Sequence, residues 1–204
     1  MLNKRDFLKS SVITVTSALL AQSNLLQAKP NVEHKDSRQN DDPSMPTIDV
    51  VIYDQRFDDS VTFAAVLNEL GTMQFPVAPD VGQLWFNILA PRIKSRPLRL
   101  AGLTQQSDLF VTQTLARDWG LKLTYCGHHD CQLRQTLNHQ LTIEKKCRGI
   151  IDFLAAAGQE WPNVLALTLS QLDFAKLAKN TERVDTTTPR GMDNPGSLVS
   201  WVIG

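Results

Sequence analysis

Hydrophobic and polar positions along residues 47–204 follow the two periods of buried strands and amphipathic helices. Short β-branched or aliphatic runs recur between segments in which apolar residues return every three or four positions. The strands predicted from this pattern span residues 48–53, 73–78, 98–103, 121–125 and 198–203. The predicted helices span residues 58–70, 80–89, 107–119, 147–157 and 163–179.

The alternation of strands and helices at intervals of roughly 25 residues is typical of parallel crossover connections. It predicts one α/β domain over residues 47–204, a three-layer sandwich with a mainly parallel, Rossmann-like or flavodoxin-like sheet. Residues 180–197 are rich in Thr, Pro and Gly and are expected to form a loop. The strand at 198–203 would complete a sheet edge or pair with the first strand. Trp161 precedes Pro162 at a helix start and is expected to be half exposed.

Residues 1–28 have the composition of an export signal, and residues 29–46 that of a solvated linker. Basic residues precede a short apolar stretch at 12–20, and Ala28 offers a small residue for cleavage. The segment Asn-Lys-Arg-Asp-Phe-Leu-Lys at positions 3–9 resembles the twin-arginine signal, Ser/Thr-Arg-Arg-x-Phe-Leu-Lys. The resemblance is carried by Arg5, Phe7 and Leu8, while Lys4 stands where the family has arginine. It implies a periplasmic or secreted protein, which would stay membrane-anchored if the signal were not cleaved.

The charge balance excludes some partners and leaves others open. The chain has 21 basic and 21 acidic residues, so there is no excess of positive charge to neutralise the phosphates of a nucleic acid. No apolar stretch is long enough for a permanent membrane span in the mature chain. The expected partners are the export machinery, through residues 1–28, and a partner protein or a small molecule.

Ligands of open parallel sheets bind beyond the carboxyl ends of the strands, and this rule selects three loops. The first loop offers Asp54 as a catalytic carboxylate and Arg56 as a ligand-binding cation, unless the two simply pair with each other. The loop after the third strand offers Thr104 and Ser107 for binding, although Ser107 also suits a helix N-cap. No phosphate-binding or dinucleotide motif is present.

The third loop, after the fourth predicted strand, holds most of the cysteine and histidine of the chain. Three hypotheses compete there, of which a disulfide between two of Cys126, Cys131 and Cys147 comes first. The second is a polar site in which His129 and Asp130 act as acid and base, with Asp54 or Asp130 orienting the imidazole. The third is a transition-metal site for Zn, Cu or Fe, with His128, His129 and Cys131 as ligands.

Two functions follow from these expectations. One is an exported binding or accessory protein, favoured because no catalytic motif is complete. The alternative is a small metal- or His-dependent hydrolase or oxidoreductase with its site at the carboxyl edge of the sheet. The alternative requires the first and fourth strands to lie close enough for Asp54 and His129 to share a ligand or a water molecule.

Overall fold

The computed structural model describes residues 47–132, 136–144, 149–172, 174, 181–189 and 196–204. The proposed signal at 1–28, the linker at 29–46 and Cys147 lie outside these residues, so what the sequence indicates about them stays a prediction. Within the part of the chain that the structure describes, no helix combines the length and the apolar character needed to cross a bilayer.

Seven strands form one mixed sheet in the order β2-β1-β3-β7-β4-β5-β6. Parallel pairing is confined to β1 with β2 and β1 with β3, and every other pair is antiparallel. The strand bounds are Val50–Tyr53 (β1), Met73–Pro76 (β2), Leu100–Thr104 (β3), Leu123–Gln132 (β4), Thr136–Glu144 (β5), Thr181–Pro189 (β6) and Ser197–Ile203 (β7).

The α/β class is confirmed, but the sheet is not mainly parallel. The parallel crossovers end at β3, because β7 inserts antiparallel between β3 and β4 instead of lying at an edge or beside β1. The segment at 126–131, expected to be a loop, continues β4, and part of the expected loop at 180–197 forms β6. Together with β5 these residues make an antiparallel three-stranded extension of the sheet.

Helices pack on both faces of the sheet, and each face has its own hydrophobic core. The helices are α1 (Asp58–Glu69), α2 (Val81–Leu84, Trp85–Leu89 and Ala90–Ser95 in succession), α3 (Gln106–Arg117), α4 (Gly149–Ala157) and α5 (Trp161–Gln171). Helices α1, α4 and α5 cover one face along its whole width. On the other face, the core that α2 and α3 cover is formed mainly by β1, β3 and β7, with Phe75 of β2 and Leu123 and Cys126 of β4 beside it; the described residues of β5 and β6 contribute nothing to it.

Two details position the site and its surroundings. The middle segment of α2 is a π-helix, in which the N–H of Ala90 bonds to the carbonyl of Trp85 five residues earlier. The wider turn comes directly before Pro91, whose ring lacks an N–H and would crowd the preceding turn of a regular α-helix. Trp161, expected to be half exposed, is wholly buried in the core under α5.

Candidate functional site

An open pocket of about 480 Å³ lies at the carboxyl ends of β2, β1 and β3. It forms where three parallel strands finish side by side and each passes into the loop before its helix. This is the position at which open α/β sheets bind ligands. The residues that line the pocket are Asp54, Gln55, Arg56, Val77, Ala78, Pro79, Asp80, Gln105, Ser107 and Asp108.

Asp54 and Arg56 form a bidentate ion pair at the base of the pocket. The guanidinium donates from Nε to Oδ1 at 2.9 Å and from an Nη to Oδ2 at 2.6 Å, and the backbone N–H of Arg56 also bonds Oδ1 at 3.0 Å. Burial alone would raise the pKa of Asp54, but the hydrogen bonds and charge of Arg56 outweigh it and lower this pKa. Asp54 is therefore ionised and held still, as the pairing alternative predicted.

The first turn of α1 fixes the end of β1 through one buried serine. The hydroxyl of Ser60 accepts the backbone N–H of Asp54 at 2.8 Å and donates to the carbonyl of Leu103 at the end of β3. Asp58 and Asp59 occupy the same turn, where negative charge suits the helix dipole. The strand ends that carry the pocket are thus tied to each other and to the start of α1.

Two further carboxylates face the pocket from the helices that follow β2 and β3. Asp80 caps α2, since its side chain accepts the N–H of Gln83 at 2.9 Å. Asp108 lies in the first turn of α3, and its Oδ2 is buried without a hydrogen-bond partner in the described part of the chain. Burial, with the nearby charge of Asp54, raises the pKa of Asp108. A carboxyl group of this kind is suited to bind a donor or to exchange a proton.

Of the two residues predicted to bind a ligand in the loop after β3, only one reaches the pocket. Ser107 is exposed and lines it. Thr104 is completely buried as the last residue of β3, where its hydroxyl accepts the indole N–H of Trp201 at 3.0 Å and donates to the carbonyl of Gln105 at 3.2 Å. Thr104 therefore stabilises the core instead of binding a ligand.

The histidine cluster lies within β4, so its consecutive side chains point to opposite faces of the sheet. His129 is buried in the core covered by α4 and α5, whereas Asp130 is exposed and accepts a hydrogen bond from Ser197. His128 lies half-buried on the same face as Asp130, with its Nε2 at 3.9 Å from the Sγ of Cys126. His129 and Asp130 therefore do not form the predicted acid–base pair.

His129 belongs to a buried chain of hydrogen bonds with His139 on β5. The two Nδ1 atoms are 2.7 Å apart. The Nε2 of His129 is 2.7 Å from the hydroxyl of Ser200, which is 3.1 Å from that of Tyr125. The Nε2 of His139 is 3.0 Å from the hydroxyl of Thr188, which donates to the carbonyl of Leu154 at 2.7 Å.

When each of the two imidazoles carries a single proton, the terminal carbonyl determines the direction of every bond in this chain. A carbonyl only accepts, so Thr188 donates its hydroxyl proton to Leu154 and must accept from the Nε2–H of His139. His139 then accepts at Nδ1 from the Nδ1–H of His129, which in turn accepts at Nε2 from Ser200. The hydroxyl of Tyr125 donates to that of Ser200. The two neutral imidazoles are then opposite tautomers, protonated at Nδ1 in His129 and at Nε2 in His139.

The surroundings of the two histidines favour this neutral state. Each is 1% exposed, and the Trp161 ring lies against both, at centroid distances of 4.7 and 5.1 Å. Burial, with the neighbouring histidines, holds the pKa of His129 well below its usual range. The network therefore satisfies polar groups inside the core, where both imidazoles are shielded from solvent.

Neither the predicted disulfide within β4 nor the predicted metal site is formed. Cys126 is a free thiol whose pKa is raised by burial. Cys131 lies five residues further along the same strand, about 16 Å away at the usual rise per residue, and a disulfide spans less than half of that distance. His128 and His129 point to opposite faces, and no three ligand-type side chains converge among the described residues.

The first predicted loop and the loop after β3 meet at one pocket, and the cysteine and histidine cluster on β4 is remote from it. Two strands, β3 and β7, separate β1 from β4, which places Asp54 and His129 about 14 Å apart across the sheet. The two residues therefore do not converge on one site as the enzyme hypothesis requires. Sequence reasoning also missed Gln55, Asp80, Gln105 and Asp108 as pocket residues. The same topological rule, applied to the loop after β2, would have selected Asp80.

No family model, curated protein or solved structure matches this chain.

Proposed function

We propose that this chain is an exported α/β protein that binds a small, positively charged ligand in the pocket at the carboxyl ends of β1, β2 and β3. The observation that carries the proposal is the pocket itself, a cavity of about 480 Å³ lined mainly by polar side chains at the ligand-binding edge of parallel strands. The histidine network is buried elsewhere, so it plays no part in the proposal.

The charges that line the pocket select the class of ligand. Asp54, Asp80 and Asp108 contribute three carboxylates, against one guanidinium from Arg56 that already pairs with Asp54. A bound ammonium or amidine group would supply the donor that the buried Oδ2 of Asp108 lacks. The apolar wall formed by residues 77–79 would contact the carbon chain of such a ligand.

A thermal-shift screen of diamines, amino acids, monosaccharides and dicarboxylates tests the binding proposal. We expect a diamine or a basic amino acid to raise the melting temperature of the full chain, while dicarboxylates leave it unchanged. Ser107→Trp, which fills the pocket mouth from an exposed position, should abolish the shift. Gln113→Trp, at an exposed position of the same helix, should keep it. Equal stabilisation of both variants, or a preference for dicarboxylates, would contradict the proposal.

Export has its own test, because it rests only on the resemblance of residues 3–9 to a twin-arginine signal. Arg5→Lys should trap the precursor in the cytoplasm. Lys4→Arg completes the arginine pair and should keep the protein in the periplasm. Unchanged export of the Arg5→Lys variant would show that another route is used.

Asp108 favours an enzyme as the second candidate function. Its raised pKa and unpartnered buried oxygen suit a general acid or base in the same pocket. In this form the alternative uses a carboxyl group instead of the metal or histidine expected from the sequence. Turnover of a bound ligand that is lost in Asp108→Asn while binding is kept would favour the enzyme over the binding protein.

A further inference from the structure

The outer edge of β6 is long and regular, and no other described strand pairs with it. β6 has nine residues and pairs with β5 without a register shift, whereas β2 at the opposite edge has four residues and ends in a proline. Proteins commonly protect such edges with lysines, prolines, bulges or short strands. β6 contains no lysine and has proline only at its last position. Among the described residues, only β5 pairs with it.

Two exposed charges on β6 are complementary to those of a second copy. Arg183 and Asp185 point to the same face of the sheet, the half that no described helix covers. Suppose that two β6 strands pair antiparallel about a two-fold axis at Val184. Arg183 of each copy then lies opposite Asp185 of the other. Opposite charges at facing positions stabilise a pair of strands, and like charges destabilise it.

The same charges oppose the neighbouring symmetric registers. An axis at Asp185 would set the two Asp185 side chains against each other, and an axis at Arg183 would do the same to the arginines. Only the axis at Val184 gives two attractive pairs, and it also places Thr181 opposite Thr187. Asp185 accepts a hydrogen bond from Gln140 at 3.0 Å, which holds its carboxylate on this face. Arg183 makes no ion pair within the described residues.

We propose that β6 is a dimerisation edge, through which two copies of this chain join their sheets with Arg183 of each copy paired to Asp185 of the other. A closed two-fold contact of this kind uses the same surface twice and does not propagate into a filament. The contact buries little more than two strand edges, so it belongs to the small, transient class of interfaces. The proposal is independent of the ligand pocket, which lies on β1, β2 and β3.

Sedimentation velocity on the full chain, from about 5 to about 500 µM, covers the affinity range expected of so small an interface. We expect a monomer–dimer equilibrium. R183D and D185R each create two like-charge contacts per dimer and should weaken dimerisation at least about tenfold. The double exchange R183D/D185R restores both attractive pairs and should return the wild-type dissociation constant to within about threefold. K122D, at an exposed position away from β6, is the matched charge-reversal control.

Far-UV circular dichroism and urea midpoints establish that each variant is folded before its association is measured. A wild-type chain that stays monomeric over the whole range would overturn the proposal. A single charge reversal without effect, or a double exchange that fails to restore the dimer, would overturn it too. If one variant does not fold, the response of the wild-type dimer to 0.5 M NaCl remains decisive, because an interface selected by two exposed charge pairs must weaken with salt.

Discussion

Ser200→Ala should be far more destabilising than Tyr125→Phe, although both remove one hydroxyl group from the same buried chain. Ser200 accepts from Tyr125 at 3.1 Å and donates to Nε2 of His129 at 2.7 Å. Its removal leaves a buried donor and a buried acceptor unpartnered. At about 1–3 kcal/mol for each such group, the loss in the free energy of unfolding is about 2–6 kcal/mol.

Tyr125 stands at the end of the chain, so its hydroxyl group has one partner only. In Tyr125→Phe, Ser200 still donates to His129, and only the acceptor lone pair of the Ser200 hydroxyl loses its partner. The expected cost is about 0.5–1.5 kcal/mol, the value of one ordinary hydrogen bond. Urea unfolding followed by circular dichroism measures both variants, with the slope against urea concentration unchanged if the unfolded states are alike.

A matched serine calibrates the comparison. Ser95→Ala removes an exposed hydroxyl that bonds only to the carbonyl of Arg92, so its effect should stay within about 0.5 kcal/mol. If Tyr125→Phe lowers the free energy of unfolding as much as Ser200→Ala does, the loss does not depend on the position of the hydroxyl in the hydrogen-bond chain. The directional arrangement inferred from the Leu154 carbonyl would then be wrong.

Three further predictions concern acid, packing and the pocket. The folded-state pKa of His129 lies below its unfolded value, so the unfolded chain binds more protons than the folded chain below about pH 6.5. The free energy of unfolding should therefore fall with decreasing pH by up to about 1.4 kcal/mol per pH unit. Urea midpoints at pH 7.5, 6.5 and 5.5 that do not decrease would contradict this. Gly102→Ala should lower the free energy of unfolding by at least about 1–3 kcal/mol, since a Cβ there would lie 2.3 Å from the ring of Trp201. Gly149→Ala is the control in the same urea titration: its Cβ meets nothing within 4 Å, so the substitution should be neutral or stabilising. Arg56→Ala should raise the pKa of Asp54 and lower the free energy of unfolding by about 1–3 kcal/mol at pH 7. The variant should differ little from the wild type once the Asp54 carboxyl is protonated. A carboxyl titration by NMR that leaves the pKa of Asp54 unchanged would show that Arg56 does not lower it.

The first half of the sheet was predictable because its signals are local. The buried strands β1 and β3 carry continuous apolar runs, and the helices after them begin at Asp58 and Gln106, within one residue of the expected starts. The N-cap positions are Phe57 and Gln105, so Ser107 does not cap α3 as expected. The topological rule for parallel strands then selected Asp54, Arg56 and Ser107 correctly as pocket residues. The rule failed for β4, because the intervening β7 comes from the other end of the chain and no local pattern announces it.

The second half was obscured by polar residues that are buried only through distant partners. His129 looks like a loop residue in the sequence, yet it faces the core with Tyr125 and Gly127 at alternate positions. Its partner Ser200 is 71 residues away. In β6 the alternation is present, with Val184 and Thr188 facing inwards, but the threonines and the proline resemble a turn-rich loop. The β-branched character of those threonines was the available signal.

The fixed direction of the hydrogen-bond chain removes a freedom that such chains usually possess. A row of hydroxyl and imidazole groups with acceptors at both ends keeps two proton arrangements, as ice does, and interconverts between them. Here the Leu154 carbonyl closes one end and cannot donate. All five protons therefore point the same way, towards α4, and their bond dipoles add along the line from Tyr125 to Thr188. The core thus contains a permanently polarised row between strands β4 and β6, aligned across the sheet and not along any helix.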